Sequence, residues 1–231
     1  MTAGDMMLNM CVPVPGRLWP RVYDLIMRRA ERAGLAAIRR DALEAATGST
    51  LEIGAGTGAN LAAFPDTVHP LVLTEPDRNK ARILRRRADT LRPDAQVVRA
   101  EVDALPFPDA SFDTVVVTLV LCSVPDQATA LGEIRRVLRP TGCLVFVEHV
   151  RSEDPALARR QDRWQPVWSL LAGGCRPNRE TVSVIASAGF RVDALRVGTL
   201  PAAPGIVRPL AVGYAVPHVP AAGHGTLPAW E

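Results

Sequence analysis

The sequence has little lysine and no paired cysteines, and each shortage narrows the possible functions. Lys80 is the only lysine among 231 residues, and the net charge is only +3. A charge this small, with no aromatic residues interleaved among its arginines, argues against a nucleic-acid partner. The four cysteines are scattered and form no C-x-x-C pair. This pattern lacks the usual zinc and redox motifs, so we expect no bound metal and a reducing compartment.

Long hydrophobic runs are also missing. No stretch is apolar for long enough to cross a bilayer, and the N-terminus lacks the basic region and apolar run of a secretory signal. We therefore expect a cytoplasmic protein with no integral membrane segment. Apolar residues make up 48% of the chain and charged residues 22%, a composition typical of a globular domain.

Short apolar runs alternate with helical patterns through the middle of the chain. This alternation predicts an α/β fold with a mostly parallel sheet. Helical periodicity comes before it, and two further helices, two further strands and a Pro/Gly/Ala-rich end follow it. We divide the chain into an N-terminal helical cap (1–48), a ligand-binding core (49–150), the helices and last two strands of the same domain (151–216), and a flexible tail (217–231).

Three alternate glycines follow the first predicted strand. Gly54, Gly56 and Gly58 lie between that strand and a helix-like segment at 59–64. Glycine allows positive φ and close approach of a ligand, and the N–H groups of a helix N-terminus favour polar or anionic groups. The dinucleotide fingerprint requires G-x-G-x-x-G, whereas this sequence reads G-x-G-x-G. The spacing, together with the absence of a Tyr-x-x-x-Lys pair, disfavours a nicotinamide-dependent oxidoreductase.

Polar and acidic residues stand at the ends of the next strands. In an open parallel sheet, ligands bind outside the carboxyl ends of the strands. Glu75 ends the second strand, where a carboxylate can bind a ribose diol, and Asp103 follows the third, where an acid can meet an exocyclic amine. Thr118 and Leu119 end the fourth strand and form a wall for a base. Together these positions predict a nucleoside ligand.

The chain resembles class I S-adenosylmethionine-dependent methyltransferases in four segments, which read L-E-I-G-A-G-T-G-A-N, L-V-L-T-E-P-D, E-V-D-A-L-P-F-P-D-A-S-F-D and R-R-V-L-R-P-T-G. The resemblance covers about residues 45–150. It implies a Rossmann-like three-layer sandwich whose seven-stranded, mostly parallel sheet has an antiparallel last strand. It also implies S-adenosyl-L-methionine as cofactor and S-adenosyl-L-homocysteine as product. The cofactor-binding residues that it implies are Glu52, Gly54, Ala55, Gly56, Gly58, Asn60, Glu75, Pro76, Asp103, Ala104, Thr118 and Leu119.

A narrower resemblance is to methyltransferase-like thiol S-methyltransferases. It rests on T-L-V-L-C-S-V (118–124), E-I-R-R-V-L-R-P (133–140), E-H-V (148–150) and G-C-R-P-N-R-E-T (174–181). It implies methyl transfer to a small-molecule thiol. Animal members of that group carry an N-terminal membrane anchor, which Met1–Pro20 does not resemble. A quinone, phospholipid or natural-product methyl acceptor, and a cofactor-binding partner without catalysis, remain as alternatives.

The candidate catalytic residue is His149, at the end of the fifth strand, where it can act as a substrate-contacting base or hydrogen-bond partner. Glu148 is expected on the opposite face of that strand, because neighbouring residues alternate. Trp164 and Trp168 lie one turn apart on one face of a predicted helix, and Asn178 is placed to cap the next helix. The substrate residues that we predict are Ser123, His149, Trp164, Trp168 and Asn178.

Overall fold

The computed structural model describes residues 19–218, and their side chains from Asp24 onward with the exception of Ile26. The first 18 residues of the predicted cap and nearly all of the predicted tail lie outside these residues. The elements are α1 (Trp19–Ala30), a π-helical turn (Glu31–Leu35), α2 (Ala36–Leu43), β1 (Gly48–Ile53), β2 (Val68–Thr74), α3 (Arg78–Leu91), β3 (Gln96–Val98), β4 (Phe112–Thr118), α4 (Gln127–Val137), β5 (Leu138–His149), α5 (Pro155–Leu171), α6 (Thr181–Ser187), β6 (Phe190–Thr199), a 3₁₀ turn (Gly205–Val207) and β7 (Pro209–Pro217).

The strands form one seven-stranded sheet in the order β3-β2-β1-β4-β5-β7-β6. All pairings from β3 to β5 are parallel, whereas β7 runs antiparallel to both of its neighbours. The strand order reverses between β1 and β4, which is the switch point where open α/β sheets bind ligands. The predicted fold class is therefore confirmed.

Side-chain alternation along the central strands builds a core on each face of the sheet. Val115 and Val117 of β4 pack with Ile134 of α4 on one face. Val116 of β4 packs with Leu84 of α3 on the other. Strands that are covered on both faces need near-continuous apolar sequence. The V-V-V run in β4 satisfies that need, and the result is a three-layer sandwich.

The segment after the three glycines is a series of turns and contains no helix. Its backbone hydrogen bonds join residues three apart, from Leu61 N to Gly58 O and from Ala63 N to Asn60 O. The predicted helix at 59–64 is therefore wrong. Six residues between Gly58, which has a φ of 91°, and Pro65 are too few to offset the cost of helix nucleation.

Within residues 19–218, no helix combines the length and the apolar content that a membrane-crossing segment requires.

Candidate active site

Two adjoining cavities open at the carboxyl ends of β1, β2 and β4. The larger has a volume of about 550 Å³ and the smaller about 420 Å³. Gly54, Glu75, Lys80 and Leu119 line both of them, so the cavities form one continuous site. The sheet topology accounts for this convergence, because parallel neighbours end at the same edge.

Gly54 must be glycine because of its conformation and its neighbour. Its φ is 64°, in the left-handed region where side chains are strained. A Cβ atom at this position would lie 2.7 Å from Cγ2 of Val120. The backbone of β1 therefore passes close to the loop after β4, and bare backbone at Gly54 faces both cavities.

Glu75 connects the glycine turn to the start of α3 through hydrogen bonds from both segments. One carboxylate oxygen accepts a hydrogen bond from the Gly56 N–H at 2.9 Å, and the other accepts from the Asp77 N–H at 3.0 Å. Burial raises the pKa of Glu75 above its ordinary value. Each carboxylate oxygen can accept a further hydrogen bond, so Glu75 can both shape the site and bind a ligand hydroxyl.

A buried polar chain lies behind the glycine turn. Glu52 Oε1 accepts a hydrogen bond from Asn60 Nδ2 at 2.8 Å, and the same amide nitrogen donates to Thr118 Oγ1 at 3.0 Å. Asn60 Oδ1 in turn accepts from Arg39 Nη1 at 3.1 Å. Burial raises the pKa of Glu52 to about 7. Its second oxygen, Oε2, is buried and has no hydrogen-bond partner among the described residues.

Helix α1 covers the glycine turn, and sequence reasoning did not assign it to the site. Asp24 Oδ1 accepts a hydrogen bond from the Thr57 hydroxyl at 2.7 Å, and Asp24 Oδ2 accepts from Arg87 Nη2 at 2.8 Å. Met27 and Arg28 of the same helix line the smaller cavity. No local motif marks these residues, since their place depends on how α1 packs across the sheet edge. Lys80 was also missed, although it lines both cavities.

Glu148 holds the loop that follows β4. Its carboxylate accepts hydrogen bonds from the N–H groups of Val120, Leu121 and Cys122, at 2.8, 2.9 and 3.1 Å. It therefore faces the β4 loop, while Val147 packs with Ile38 of α2 on the other side of the sheet. Burial raises the pKa of Glu148 to about 7. Sequence reasoning gave Glu148 no role beyond its orientation.

Most of the residues predicted to bind cofactor come together at this edge. Those that line at least one cavity are Glu52, Gly54, Ala55, Gly56, Glu75, Pro76, Asp103, Thr118 and Leu119, together with the predicted substrate residue Ser123. Gly58, Asn60 and Ala104 are not among the lining residues. Asn60 instead lies beneath the surface of the site and orients Glu52.

The other predicted substrate residues lie outside the described lining of the two cavities. His149 is buried, its Nδ1 has no hydrogen-bond partner among the described residues, and burial lowers its pKa to about 4. Trp168 packs against the buried cluster that contains Leu35 and Leu200, whereas Trp164 is 52% exposed. The two indoles one turn apart thus have different surroundings.

Asn178 does not cap a helix, contrary to the sequence-based expectation. Its side chain donates a hydrogen bond to Asp162 of α5 at 3.0 Å. Helix α6 begins three residues later, at Thr181, and has no side-chain cap. The physical reason is competition, because an amide committed to Asp162 leaves no local partner for the helix start.

Known proteins share this fold and this sequence pattern. The family profile described as "Methyltransferase domain" matches residues 51–146. The chain is 37% identical to thiol S-methyltransferase TMT1A of Homo sapiens over 175 residues, which is 73% of this chain and 70% of that protein. It is 34% identical to demethylmenaquinone methyltransferase of Renibacterium salmoninarum, over 65% of this chain and 70% of that one.

Solved structures agree with the fold. A structure described as a SAM-dependent methyltransferase, possible histamine N-methyltransferase, from Thermotoga maritima has a TM-score of 0.63 and 22% identity, and the match covers 87% of this chain and 95% of that one. The fold and the site define a class I methyltransferase. The chain belongs to the methyltransferase-domain family and is an S-adenosyl-L-methionine-dependent enzyme that acts on a small-molecule acceptor.

Proposed function

We propose that this enzyme transfers the methyl group of S-adenosyl-L-methionine to the sulfur of a small-molecule thiol. The observation that carries the proposal is the 37% identity to a thiol S-methyltransferase over 175 residues. That alignment extends well beyond residues 51–146, which the family profile matches. It therefore includes parts of the chain outside the cofactor-binding core, where we place acceptor recognition.

The residues at the sheet edge fit the cofactor. The buried, unpartnered Oε2 of Glu52 suits the ammonium group of the methionine portion, with Gly54, Ala55 and Gly56 beside it. We assign the ribose hydroxyls to Glu75 and the adenine amino group to Asp103. Pro76, Thr118 and Leu119 complete these walls. We place Ala104 beside Asp103 without a share in the lining, and Gly58 and Asn60 support the turn from behind. When bound, the cofactor supplies a methyl group that is already activated as a sulfonium.

The protein then has to orient the acceptor and exclude water, which contributes to rate through positioning. Met27 and Leu119 line the smaller cavity, and together with Trp168 they pack against one buried apolar cluster. We assign acceptor contact to Ser123, which lines the larger cavity. Trp164, Trp168, Asn178 and His149 line neither cavity, so acceptor contact at these four residues requires the acceptor to reach beyond the two cavities. With a pKa lowered to about 4, His149 is neutral at pH 7, and its unpartnered Nδ1 can accept a hydrogen bond from a thiol. It acts in this proposal as a hydrogen-bond partner, since so low a pKa makes it a weak base.

Methyl transfer to the carbon of a quinone ring is the second candidate. It is favoured by the 34% identity to a demethylmenaquinone methyltransferase over 70% of that protein's length. The cofactor site would serve either reaction, because it binds the methyl donor and not the acceptor.

The test is methylation of a small alkyl thiol by the purified full chain, with the thioether product measured by mass spectrometry. We expect thioether formation, and a loss of about tenfold or more in kcat/KM in His149→Ala, as for the loss of one hydrogen bond in the transition state. His69→Ala is the matched control, because His69 is an exposed histidine that pairs with Asp94, near the start of β2. Methylation of a demethylated quinone without thioether formation would establish the second candidate instead. Equal rates in both variants would remove His149 from the site.

We also propose the division into a helical cap (1–48), a cofactor-binding core (49–150), the acceptor-side helices and last strands (151–216) and a tail (217–231). A cytoplasmic location with no nucleic-acid partner is proposed as well. The described cysteines, Cys122, Cys143 and Cys175, are all free thiols, which supports a reducing compartment.

A further inference from the structure

Two buried cysteines that are far apart in the sequence meet beside the active-site cavity. Cys122 belongs to the loop after β4, and Cys175 to the loop between α5 and α6. The two loops are joined by a hydrogen bond from the Arg176 N–H to the Cys122 carbonyl oxygen at 2.8 Å. Cys122 is 1% exposed and Cys175 is 7% exposed. The fold therefore brings the two thiols together on adjacent backbone segments.

The surroundings of the two sulfur atoms differ. The interaction between the two neighbouring thiols is the main cause that lowers the pKa of Cys175 and raises that of Cys122. The nearby indole of Trp168 also lowers the pKa of Cys175, although its buried Nε1 has no hydrogen-bond partner among the described residues, while burial and the Glu148 carboxylate act in the opposite direction. The guanidinium of Arg179 adds positive charge nearby. Cys175 is therefore the more nucleophilic thiol of the pair.

Both cysteines adjoin residues that line the larger cavity. Ser123 follows Cys122 directly, and Gly173 lies two positions before Cys175; both contribute to the cavity wall beside Glu75 and Asp103. The loops approach so closely that a Cβ atom at Gly174 would lie 3.2 Å from the Ser123 carbonyl oxygen. A covalent bond between the loops would therefore act on the site where the cofactor binds.

We propose that Cys122 and Cys175 are an oxidative modification site, at which hydrogen peroxide converts the two thiols into a disulfide that joins the two loops of the cavity wall. The Cys175 sulfur attacks one peroxide oxygen, the O–O bond breaks, and a sulfenic acid and one water form. The Cys122 sulfur then attacks the sulfenic sulfur, the S–S bond forms, the S–O bond breaks, and a second water leaves. Two electrons pass from the sulfurs to the peroxide, and the two thiol protons end in the waters.

The disulfide alters the cavity because a covalent S–S bond is shorter than a hydrogen bond between thiols. Drawing the sulfurs together moves the neighbouring segments at Ser123 and Gly173. The third described cysteine provides the contrast. Cys143 lies on β5, away from the other two, and burial raises its pKa to about 11, so it should react slowly and find no partner.

The test uses the full chain with Cys11→Ser in every sample, since Cys11 lies outside the described residues. The reduced protein is treated with hydrogen peroxide, digested and mapped by mass spectrometry. We expect a peptide pair cross-linked between Cys122 and Cys175, reversed by dithiothreitol, and retained in Cys143→Ser but absent in Cys175→Ser. If Cys175→Ser does not fold, the map of the parent protein still identifies which cysteines are joined.

A second measurement examines the link to the cavity without any methyl acceptor. The affinity for S-adenosyl-L-homocysteine, measured by calorimetry, should fall about fivefold or more on oxidation and recover on reduction. The apparent melting temperature should rise, because the cross-link restricts the unfolded chain. The proposal is overturned if peroxide produces no cross-link between Cys122 and Cys175, or if the cross-linked protein binds the nucleoside as the reduced protein does.

Discussion

Two buried carboxylates near the active site have similar pKa values, but they differ in whether an oxygen is left to bind a ligand. Burial raises the pKa of Glu52 and of Glu148 to about 7. Both oxygens of Glu148 are occupied by backbone N–H groups, so its role is to hold the loop after β4. Glu52 keeps one oxygen without a partner among the described residues. A cationic group of the cofactor has a reason to bind at Glu52 and none to bind at Glu148.

Glu52→Gln should change how stability depends on pH. A carboxyl whose pKa is raised on folding favours the folded state below its unfolded pKa of 4.5, and that contribution is lost as pH rises towards 7. In the parent protein, the free energy of unfolding should therefore fall by about 2–3 kcal/mol as the pH rises from 5 to 8, because Glu52 ionises less readily in the folded state. Glutamine does not ionise, so it removes this part of the dependence of the free energy of unfolding on pH. Urea unfolding at pH 5 and pH 8 measures the change.

The control for this change is Glu153→Gln, since Glu153 is exposed. It should leave the slope as it is in the parent protein. If Glu52→Gln also left the slope unchanged, Glu52 would not be held in an environment that resists its ionisation. In that case its assignment to the ammonium group of the cofactor would lose its basis.

Residues that end a strand could be placed from the sequence, and residues that lie behind the site could not. Glu75 and Asp103 follow apolar runs, so topology alone brings them to the ligand edge. The place of Asn60 depends on Arg39 of α2, which accompanies it in the buried chain. That partnership depends on how α2 packs, and no periodicity in the sequence reports it.

Among the elements, strands were easier to predict than the short segments between them. The V-V-V run of β4 can be buried on both faces only within a sheet, so the strand follows from composition. The segment after Gly58 has a helix-like composition, yet it forms turns because it is short and bounded by a left-handed glycine. The start of α6 was misplaced because a tertiary partner, Asp162, engages Asn178.

The pairing of β6 with β7 depends on one glycine. A Cβ atom at Gly213 would overlap the Ala194 carbonyl oxygen and lie 2.9 Å from Cζ of Phe146. The register of the two strands also shifts between Val192 and Ala194. Gly213→Ala should therefore lower the free energy of unfolding by about 3 kcal/mol, as measured by urea denaturation.

Gly132→Ala is the matched control, because Gly132 lies in α4 and a Cβ atom there would meet nothing within 4 Å. It should raise stability by about 0.5–1 kcal/mol, since alanine loses less backbone entropy than glycine in a helix. A Gly213→Ala variant as stable as the parent would show that β6 can move away from β7 without cost.

At the scale of the whole molecule, binding of the cofactor product should increase the free energy of unfolding. S-adenosyl-L-homocysteine at about 100 times its Kd should add about 2.7 kcal/mol to the free energy of unfolding. For a chain of this size that corresponds to a rise in Tm of roughly 5–10 °C. NAD at the same concentration should cause no rise. Stabilisation by NAD alone, measured by thermal denaturation, would contradict the cofactor assignment.

The sequence by itself determined the layered α/β fold, the edge at which the ligand binds and the class of the methyl donor. Strand periodicity, the glycine turn and the acids at strand ends are local patterns with a fixed topological meaning, so they give the fold and the ligand edge. The class of the methyl donor is what the resemblance of four segments to class I methyltransferases implies. Only the tertiary structure decided that α1 covers the glycine turn through Asp24, that Glu148 holds the loop after β4, and that the loop of Cys122 adjoins the loop of Cys175. These contacts join distant segments through packing, which no local pattern in the chain records.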